Sequence, residues 1–305
     1  MSRYLAQRFF QAVVTIWLVS IAIFAPARLN GDPITLLAPQ EATKAEVQAI
    51  RESYGLDDSW IQQYLIFIGN AVQGDFGRSV RFDVPATELV THRLPASLKL
   101  AGAAMVLSLT LGLTVGTISG MKPGSLIDRF GKGLAVLGQS VPVFWLAIIL
   151  ILLFSVKLQW LPTSGYGGPD HFILPAITLG WFFTAGLMRL TRSAVMDVAD
   201  SDYVRFARIK GLHPARIVVQ HVLRNAAIPV ITLISLQFIV LVTDSVVTET
   251  IFAWPGIGRL LIDSVFARDF PVIQAVVFLV SVMFVATNFV VDMLYAVIDP
   301  RIKHQ

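Results

Sequence analysis

The sequence predicts an all-α polytopic membrane protein with six transmembrane helices and a small helical segment after the first of them. Of its 305 residues, 55% are hydrophobic and only 14% are charged, whereas soluble domains carry about 25% charged residues. The apolar residues also gather into runs that can cross a hydrocarbon core of about 30 Å at about 1.5 Å per residue. These predicted spans cover residues 9–27, 100–120, 134–156, 172–188, 228–249 and 270–291.

Composition also excludes several kinds of site. The net charge of +4 is modest, and in a membrane protein it indicates loops facing an anionic leaflet rather than nucleic-acid binding. The chain has no cysteine, which excludes disulfides and thiolate chemistry. Its histidines are scattered, and no hydrolase or metalloprotease motif is present. We therefore expect contacts with membrane lipid, no nucleic acid, no metal site and no catalytic residue.

The positions of Lys and Arg predict the orientation. The first apolar run lacks an Ala-x-Ala-like cleavage site, so we interpret residues 1–27 as a cytoplasmic N-terminus followed by a retained first span. With both termini inside, the inner segments hold more than half of the 24 basic residues. Most of the others fall in the long outer segment 28–99, which counts little in the positive-inside rule. The loop 189–227 and the tail 300–305 are then cytoplasmic, and residues 100–299 form the core.

The outer segment 28–99 is predicted to fold as short helices. Thr43 and Glu46 have the spacing of a capping box, Asp58 or Ser59 is expected to cap a second helix, and Pro85 suits the first turn of a third. The second helix carries an apolar stripe at helical spacing. This segment is either an amphipathic layer at the lipid interface or a docking surface for an external partner. The stripe consists of Ile61, Leu65, Ile68 and Val72.

Residues 202–229 form a basic, amphipathic segment between the fourth and fifth predicted spans. It is predicted to contain two short helices, the first ended by Gly211, the usual helix stop, and the second opened by Pro214. The segment is either a docking element for a soluble partner or a basic helix held by anionic lipid. The break favours docking, because it would interrupt a continuous lipid-facing stripe.

Polar residues near the outer end of the fifth span are candidates for lining a pathway. A carboxylate such as Asp244 is costly when it faces lipid; the alternative is a paired structural carboxylate. Residues 254–256 interrupt the helix just outside the fifth span. They form either a loop facing the outer vestibule or a turn with its Trp in the interfacial aromatic belt. The candidates here are Asp244, Thr248, Glu249, Trp254, Pro255 and Gly256.

Two features of the second and third spans point to packing or to a pathway. Gln139 and Pro142 interrupt the third span, where freed carbonyls either line a path or adapt to a neighbouring helix. Gly112, Gly116 and Gly120 form a small-residue stripe that indicates close helix packing, within the chain or between subunits.

Ordered short motifs cover nearly the whole chain, and together they resemble the permease subunits of ABC importers, in particular the first, B-type permease of the dipeptide/oligopeptide/nickel/glutathione family. On the outer side they are Gly31-Asp32-Pro33, Tyr54-Gly55-Leu56-Asp57, Gly74-Asp75-Phe76-Gly77 and Arg93-Leu94-Pro95-Ala96-Ser97. In the basic segment they are Asp202-Tyr203-Val204-Arg205, Ala207-Arg208, Lys210-Gly211-Leu212 and His221-Val222-Leu223-Arg224-Asn225. Near the end they are Glu249-Thr250-Ile251-Phe252, Trp254-Pro255-Gly256 and Asp299-Pro300-Arg301.

The resemblance implies the type I ABC importer permease fold and makes the basic segment a coupling loop that inserts into an ATPase. Arg205-Phe206-Ala207 stands where the general importer loop has Glu-Ala-Ala, and Asn30 stands where the family often has Pro. The coupling residues that the resemblance implies are Asp202, Tyr203, Arg205, Phe206, Ala207, Arg208, Lys210, Gly211, His221, Arg224, Asn225 and Pro229.

The same resemblance implies the partners and the location. They are a homologous second permease, two ATPase subunits and an extracytoplasmic substrate-binding protein, in a bacterial inner membrane. The chain lacks the Gly-x-x-x-x-Gly-Lys-Ser/Thr phosphate loop, so ATP and Mg²⁺ are expected on the ATPases. The implied cargo is a di- or oligopeptide or a peptide-like solute, with nickel complexes, opines and oligosaccharides as alternatives. From other classes, a stand-alone secondary transporter and a structural membrane subunit remain open.

Overall fold

The computed structural model describes residues 2–29, 42–54 and 58–298. Apart from one isolated bridge between Arg78 and Pro85, this part of the chain forms helices and no β-structure, which confirms the all-α class. The motifs predicted at 31–33 and 299–301, most of the motif at 54–57, Asn30 and the tail 300–305 lie outside the described residues.

The chain divides into two compact units, one of residues 1–97 and 255–305 and the other of residues 98–254. In the first unit α1 packs along α12, and Arg8 pairs with Asp292 at 3.3 Å. Its helices are α1 (Ser2–Leu29), α2 (Lys44–Tyr54), α3 (Trp60–Val72), the first part of α4 (Ala86–Met121), α11 (Ile257–Phe266) and α12 (Phe270–Ile298).

Capping boxes start both short helices of the outer segment, as the spacing predicts. The Thr43 amide donates to Glu46 Oε2 at 2.7 Å and the Glu46 amide to Thr43 Oγ1 at 3.3 Å. The Thr43 amide and the Thr43 hydroxyl, which also donates to Glu46 Oε2, lower the pKa of Glu46. Of the two candidate caps for α3, the structure uses Ser59, which completes a capping box with Gln62.

The inner face of α3 differs from the predicted stripe. Ile61, Leu65 and Val72 are exposed, whereas Phe67 packs against Phe24 of α1 and against Phe76. Phe76 in turn contacts Phe278 of α12. The spacing predicted a stripe of aliphatic residues, but the aromatic rings of Phe67 and Phe76 supply the packing of this segment. A large aromatic side chain buries more area than an aliphatic one.

The third short helix predicted at Pro85 is wrong as a separate element. α4 begins at Ala86 and continues through Pro95 into the predicted second span, ending at Met121. Residues 86–99 contain no glycine, so no residue between the first turn and the span favours a left-handed stop.

In the second unit α7 is the central helix and packs against α10, α5 and α6. It extends beyond the predicted end of the fourth span and is buried on much of its length. The helices of this unit are the rest of α4, α5 (Leu126–Ser140), α6 (Val143–Leu150), α7 (Asp170–Ala199), α8 (Asp202–Ile209), α9 (Pro214–Arg216) and α10 (Arg224–Ile251), with π-helical stretches π1 (Ile151–Lys157) and π2 (Ile217–Leu223).

Glycines of α4 bring α7 into close contact within this chain. A Cβ on Gly116 would lie 2.8 Å from the Met188 carbonyl oxygen, and one on Gly120 would lie 2.7 Å from Val195 Cβ. A Cβ on Gly112 would lie 2.9 Å from the Leu187 side chain. The small-residue stripe therefore serves packing between two helices of one subunit.

Four helical segments of the described residues are long and apolar enough to cross a membrane: Ala6–Pro26, Ala86–Met121, Asp170–Ala199 and Phe270–Met293. A fifth crossing exists if α5 is combined with α6 and π1, which are bent by 113° at their junction. The bend coincides with Pro142, so the third predicted span is not one straight helix. The fifth predicted span lies in α10, and the total of six stays a prediction.

Gly116→Ala tests the close approach of α4 to α7. We expect a lower thermal unfolding temperature in detergent, because the new methyl group meets backbone rather than a movable side chain. Gly102→Ala on the same helix is the matched control. A Cβ there would meet open space, so helix propensity should stabilise it by about 1 kcal/mol. Equal unfolding temperatures for the two variants would contradict the packing described.

Candidate functional site

An elbow, defined here as residues 200–213, joins α7 to the helical stretch that starts at Pro214. Ser201 is extended before α8, and the left-handed Gly211 (φ +71°) ends the turn after it. The Leu212 amide donates to the Ala207 carbonyl at 3.3 Å across that turn. A residue with a Cβ is strained in this conformation, which is why Gly211 can stop α8 so sharply.

One face of α8 fixes the elbow to its own subunit. Val204 and Ala207 are buried together with Val195 of α7 and with Ile217 and Val222 of π2. Burial of such side chains stabilises the contact by about 1.5–3 kcal/mol for each large residue. The elbow is therefore packed onto the ends of two long helices, and Ala207 contributes to that packing.

The other face of α8 is apolar and cationic, and it is exposed. Phe206 and Ile209 are 64% and 81% exposed, beside the half-exposed ring of Tyr203. A cluster of large exposed apolar side chains is the usual mark of an interaction surface. We call this surface the elbow face; it comprises Tyr203, Arg205, Phe206, Arg208, Ile209 and Lys210, all of them exposed.

The prediction of a second short helix after Gly211 is wrong. The chain is helical without a break from Pro214 through π2 to Ile251. Residues 215–228 contain neither glycine nor proline, so nothing in this stretch stops the helix before it joins the predicted fifth span. The helical stretch that follows the elbow, which we call its second arm, is thus the first part of the long helix that contains the predicted fifth span.

Four other predicted coupling residues, His221, Arg224, Asn225 and Pro229, lie on this long helix and not on the elbow face. The Asn225 side chain donates to the His221 carbonyl oxygen at 2.7 Å, a bond that follows the helix. Arg224, Asn225 and Pro229 are exposed. Asp202, at the start of α8, is also exposed and lies 3.9 Å from Arg205.

The outer candidates on α10 differ in exposure. Asp244 is exposed, whereas Thr248 and Glu249 are buried. Glu249 accepts a hydrogen bond from Ser245 Oγ at 2.8 Å. Thr248 lies four residues after Asp244, on nearly the same side of the helix, and is covered by protein, whereas Glu249 is turned well away from Asp244.

Trp254 neither faces an outer vestibule nor lies in an interfacial aromatic belt, the two alternatives predicted for it. It is fully buried and makes edge-to-face contacts with Tyr166 and Phe172, at 4.8 and 4.6 Å between ring centroids. The loop after π1 carries Tyr166 and is held beside the end of α10 by a hydrogen bond from the Gly165 amide to the Phe252 carbonyl oxygen at 2.8 Å. Aromatic packing inside the protein replaces the expected position at the lipid interface.

Pro255 and Gly256 introduce a helix that the sequence reading missed. Gly256 is the buried N-terminal cap of α11, and the Ile257 amide donates to Ser97 Oγ at 2.9 Å. Ile257 and Leu260 are buried, and this apolar spacing was the signal that could have found the helix.

An ion-pair cluster at the start of α5 was also missed. Asp128 is fully buried and accepts from Arg192 Nε at 2.6 Å and from Lys132 Nζ at 2.8 Å. The Gly124 amide donates to the same carboxylate at 2.9 Å. Its members are distant in sequence, so no local pattern joins them. The candidate Gln139, at the other end of α5, accepts a hydrogen bond from Arg189.

Comparison with known proteins identifies the family. Residues 112–304 match the family described as "Binding-protein-dependent transport system inner membrane component", and residues 1–101 match the N-terminal family of such membrane components. The chain belongs to this family. It is therefore a permease subunit of an ABC importer, and this class of protein is a membrane permease rather than an enzyme.

Relatives and solved structures agree with this assignment. The chain is 42% identical over 306 residues to the glutathione transport system permease protein GsiC of Escherichia coli K12, with both chains covered completely. It is 41% identical to GsiC of Shigella boydii serotype 4, again over the full length of both.

Among solved structures, a chain of the inward-facing MetNI methionine ABC transporter aligns with a TM-score of 0.58 at 17% identity, covering 69% of this chain and 96% of that one. A chain of an amino acid ABC transporter aligns at 0.54 and 18%, covering 68% and 93%. At these identities the likeness concerns the fold, and it confirms that this is an ABC permease fold.

Asp128→Asn tests the buried ion-pair cluster. Loss of the carboxylate leaves Arg192 and Lys132 without their counter-charge, which should lower the free energy of unfolding by about 3 kcal/mol. Asp263→Asn is the control, because Asp263 forms an exposed pair with Arg259 at 3.8 Å, and such pairs contribute about 0–1 kcal/mol. Denaturant titration in mixed micelles measures both. Similar losses would show that the cluster is not a stabilising element.

Proposed function

We propose that this chain forms half of the translocation pathway of an ATP-driven importer and that its elbow face docks into a cytoplasmic ATPase subunit. One observation carries the proposal: α8 is buried on one face and presents exposed aromatic, aliphatic and cationic side chains on the other. Interfaces concentrate their binding energy in such aromatic and arginine side chains. The family supports an ATPase as the partner.

The elbow can act as a lever because it is fixed at both arms. Val204 packs on the end of α7, and the second arm continues into α10. A force on the elbow face is then transmitted to two membrane helices rather than absorbed by a loop. The complete machine in this proposal has a homologous second permease, two ATPases that bind ATP and Mg²⁺, and an extracytoplasmic substrate-binding protein.

The proposed cargo is a peptide-like solute of the glutathione or di- and oligopeptide class. The full-length likeness to glutathione permeases supports this choice. Among the outer candidates, Asp244 is the residue we assign to the pathway, because it is exposed on the subunit surface, and Pro142 is assigned to it at the bend between α5 and α6. Gln139 is not assigned to the pathway, because its side chain accepts a hydrogen bond from Arg189. The proposed location is a bacterial inner membrane with both termini, and therefore the elbow, in the cytoplasm.

Site-specific crosslinking tests the docking proposal. The chain has no cysteine, so Tyr203→Cys and Ile209→Cys each provide a single reactive thiol on the elbow face. In inverted membrane vesicles containing the whole importer, we expect both to crosslink to the ATPase, and ATP to change the yield. Leu126→Cys is the matched control, since Leu126 is equally exposed and lies in another predicted cytoplasmic loop. Crosslinks from Leu126 but none from the elbow face would overturn the proposal.

Substitutions on the elbow should separate ATP hydrolysis from transport. Phe206→Ser removes an exposed ring, and Gly211→Arg places a side chain on a left-handed residue. We expect at least a tenfold loss of ATP-driven uptake, which corresponds to about 1.4 kcal/mol of lost coupling, with normal insertion in the membrane.

Two controls make that result specific. Gly124→Arg creates the same backbone strain, because Gly124 is also left-handed (φ +80°) with open space around it, and Leu126→Ser removes an exposed apolar residue elsewhere. Unchanged uptake in the elbow variants, or equal losses in the controls, would contradict the coupling role. Gradient-driven uptake by the permease without any ATPase would instead favour the secondary transporter.

A further inference from the structure

A cavity of about 300 Å³ opens between the last turn of α4, α5 and the interior of α7. Because one water occupies about 30 Å³ of liquid, the cavity has the room of about ten waters. It is large enough for a small headgroup, and it extends along α5 from Gly131 to Gln139.

Cationic side chains surround this cavity. Lys132, Arg189 and Arg192 line it, and the described lining residues include no carboxylate. Asp128, outside the lining, pairs with Lys132 and Arg192, while Arg189 contacts the neutral Gln139. Three positive charges therefore lie near one negative charge. The excess positive charge would attract an anion that enters the cavity.

A polar atom inside the cavity has no protein partner. Ser119 is buried and lines the cavity, and its Oγ has no hydrogen-bond partner among the described residues. A buried hydroxyl without a partner costs about 1–3 kcal/mol. A ligand oxygen in the cavity would remove this cost.

Apolar side chains line the rest of the cavity and favour a ligand with an apolar part. Ala135, Val136 and Met188 also line the cavity, and Val136 is exposed. A soluble anion gains nothing from these groups, whereas a lipid can place its phosphate on the cations and its acyl chains along α5.

We propose that this cavity binds the phosphodiester headgroup of an anionic phospholipid, with Lys132, Arg189 and Ser119 as its polar contacts. Arginine suits this role because its planar guanidinium offers paired donors to phosphate oxygens. The assignment of the lipid to the inner leaflet rests on the orientation in the proposed function. The binding itself does not, and it can be measured without transport.

The test uses the full-length chain purified in detergent and incubated with mixed micelles of phosphatidylglycerol or of phosphatidylcholine with the same acyl chains. Native mass spectrometry then counts retained lipid. We expect selective retention of phosphatidylglycerol and a roughly fivefold loss of occupancy in Arg189→Gln and in Lys132→Gln, since one basic residue near a lipid surface contributes about 1 kcal/mol. Arg192 is left unchanged, because it donates to the buried Asp128 at 2.6 Å. Lys132 also pairs with Asp128 but is half exposed, so Arg189→Gln, whose residue contacts the neutral Gln139, is the decisive variant.

Two further variants make the result specific. Arg129→Gln is the matched control, an exposed cation on the same helix that does not line the cavity, and its occupancy should equal that of the unmodified chain. Ala135→Trp should fill the cavity and abolish retention with every charge in place.

Four results would overturn the proposal. Equal retention of the two lipids, or equal losses for Arg129→Gln and Lys132→Gln, would show surface electrostatics only. Displacement of phosphatidylglycerol by millimolar inorganic phosphate would show a site for soluble anions. Loss of the bound lipid on assembly with the second permease would show that the partner covers the cavity.

Discussion

The close approach of α7 to α4 is the constraint on which the rest of the second unit depends. Gly116 and Gly120 leave no space for a Cβ against Met188, Thr191 and Val195. In lipid there is little hydrophobic gain from bringing helices together, so association relies on van der Waals contact and small residues permit it. A methyl group at this contact would move α7 outward, and α7 carries Arg189, Arg192 and Val195, which join it to the cavity, to the ion-pair cluster and to the elbow.

The close contact between α4 and α7 positions three features at once. Val195, which contacts Gly120, is also the buried anchor for Val204 of the elbow. Arg192, three residues before it, reaches back to Asp128 of α5, and Arg189 reaches Gln139. Spacing of three residues places these side chains along neighbouring faces of one helix. The elbow, the ion-pair cluster and the cationic cavity are therefore joined through α7, and displacement of that helix would disturb all three.

Sequence reasoning succeeded where a local signal determines the structure. Capping at Thr43 and Ser59, the stop at Gly211 and the break at Pro142 each follow from the chemistry of one or two residues, and long apolar runs are strong evidence for helices. It failed where partners are distant in sequence. The burial of Trp254 depends on Tyr166 and Phe172, and the ionised Asp128 depends on Arg192, which no periodicity connects to it.

The continuation of α9 and π2 into α10 was missed for a different reason. Pro214 was correctly placed at the start of a helix, but that helix was predicted to be short and separate from the fifth span. Helices end where a residue favours another conformation, and the next candidate, Pro229, lies inside α10 without ending it. A proline within a membrane helix is tolerated when neighbouring groups satisfy the freed carbonyl.

This continuity changes what the elbow can transmit. If the elbow were followed by a separate short helix, a second loop would lie between it and the fifth span. That loop would absorb part of any displacement. Here the only irregularity between Pro214 and Ile251 in secondary structure is π2, whose wider turns are a known feature of functional segments in helices. Val222 of π2 is packed on the same core as Val204 of α8, so the irregular turn moves together with the elbow. In the proposed coupling, a displacement of the elbow face would act on α10, which continues through Pro229 and carries Asp244 and the buried Glu249 near its far end.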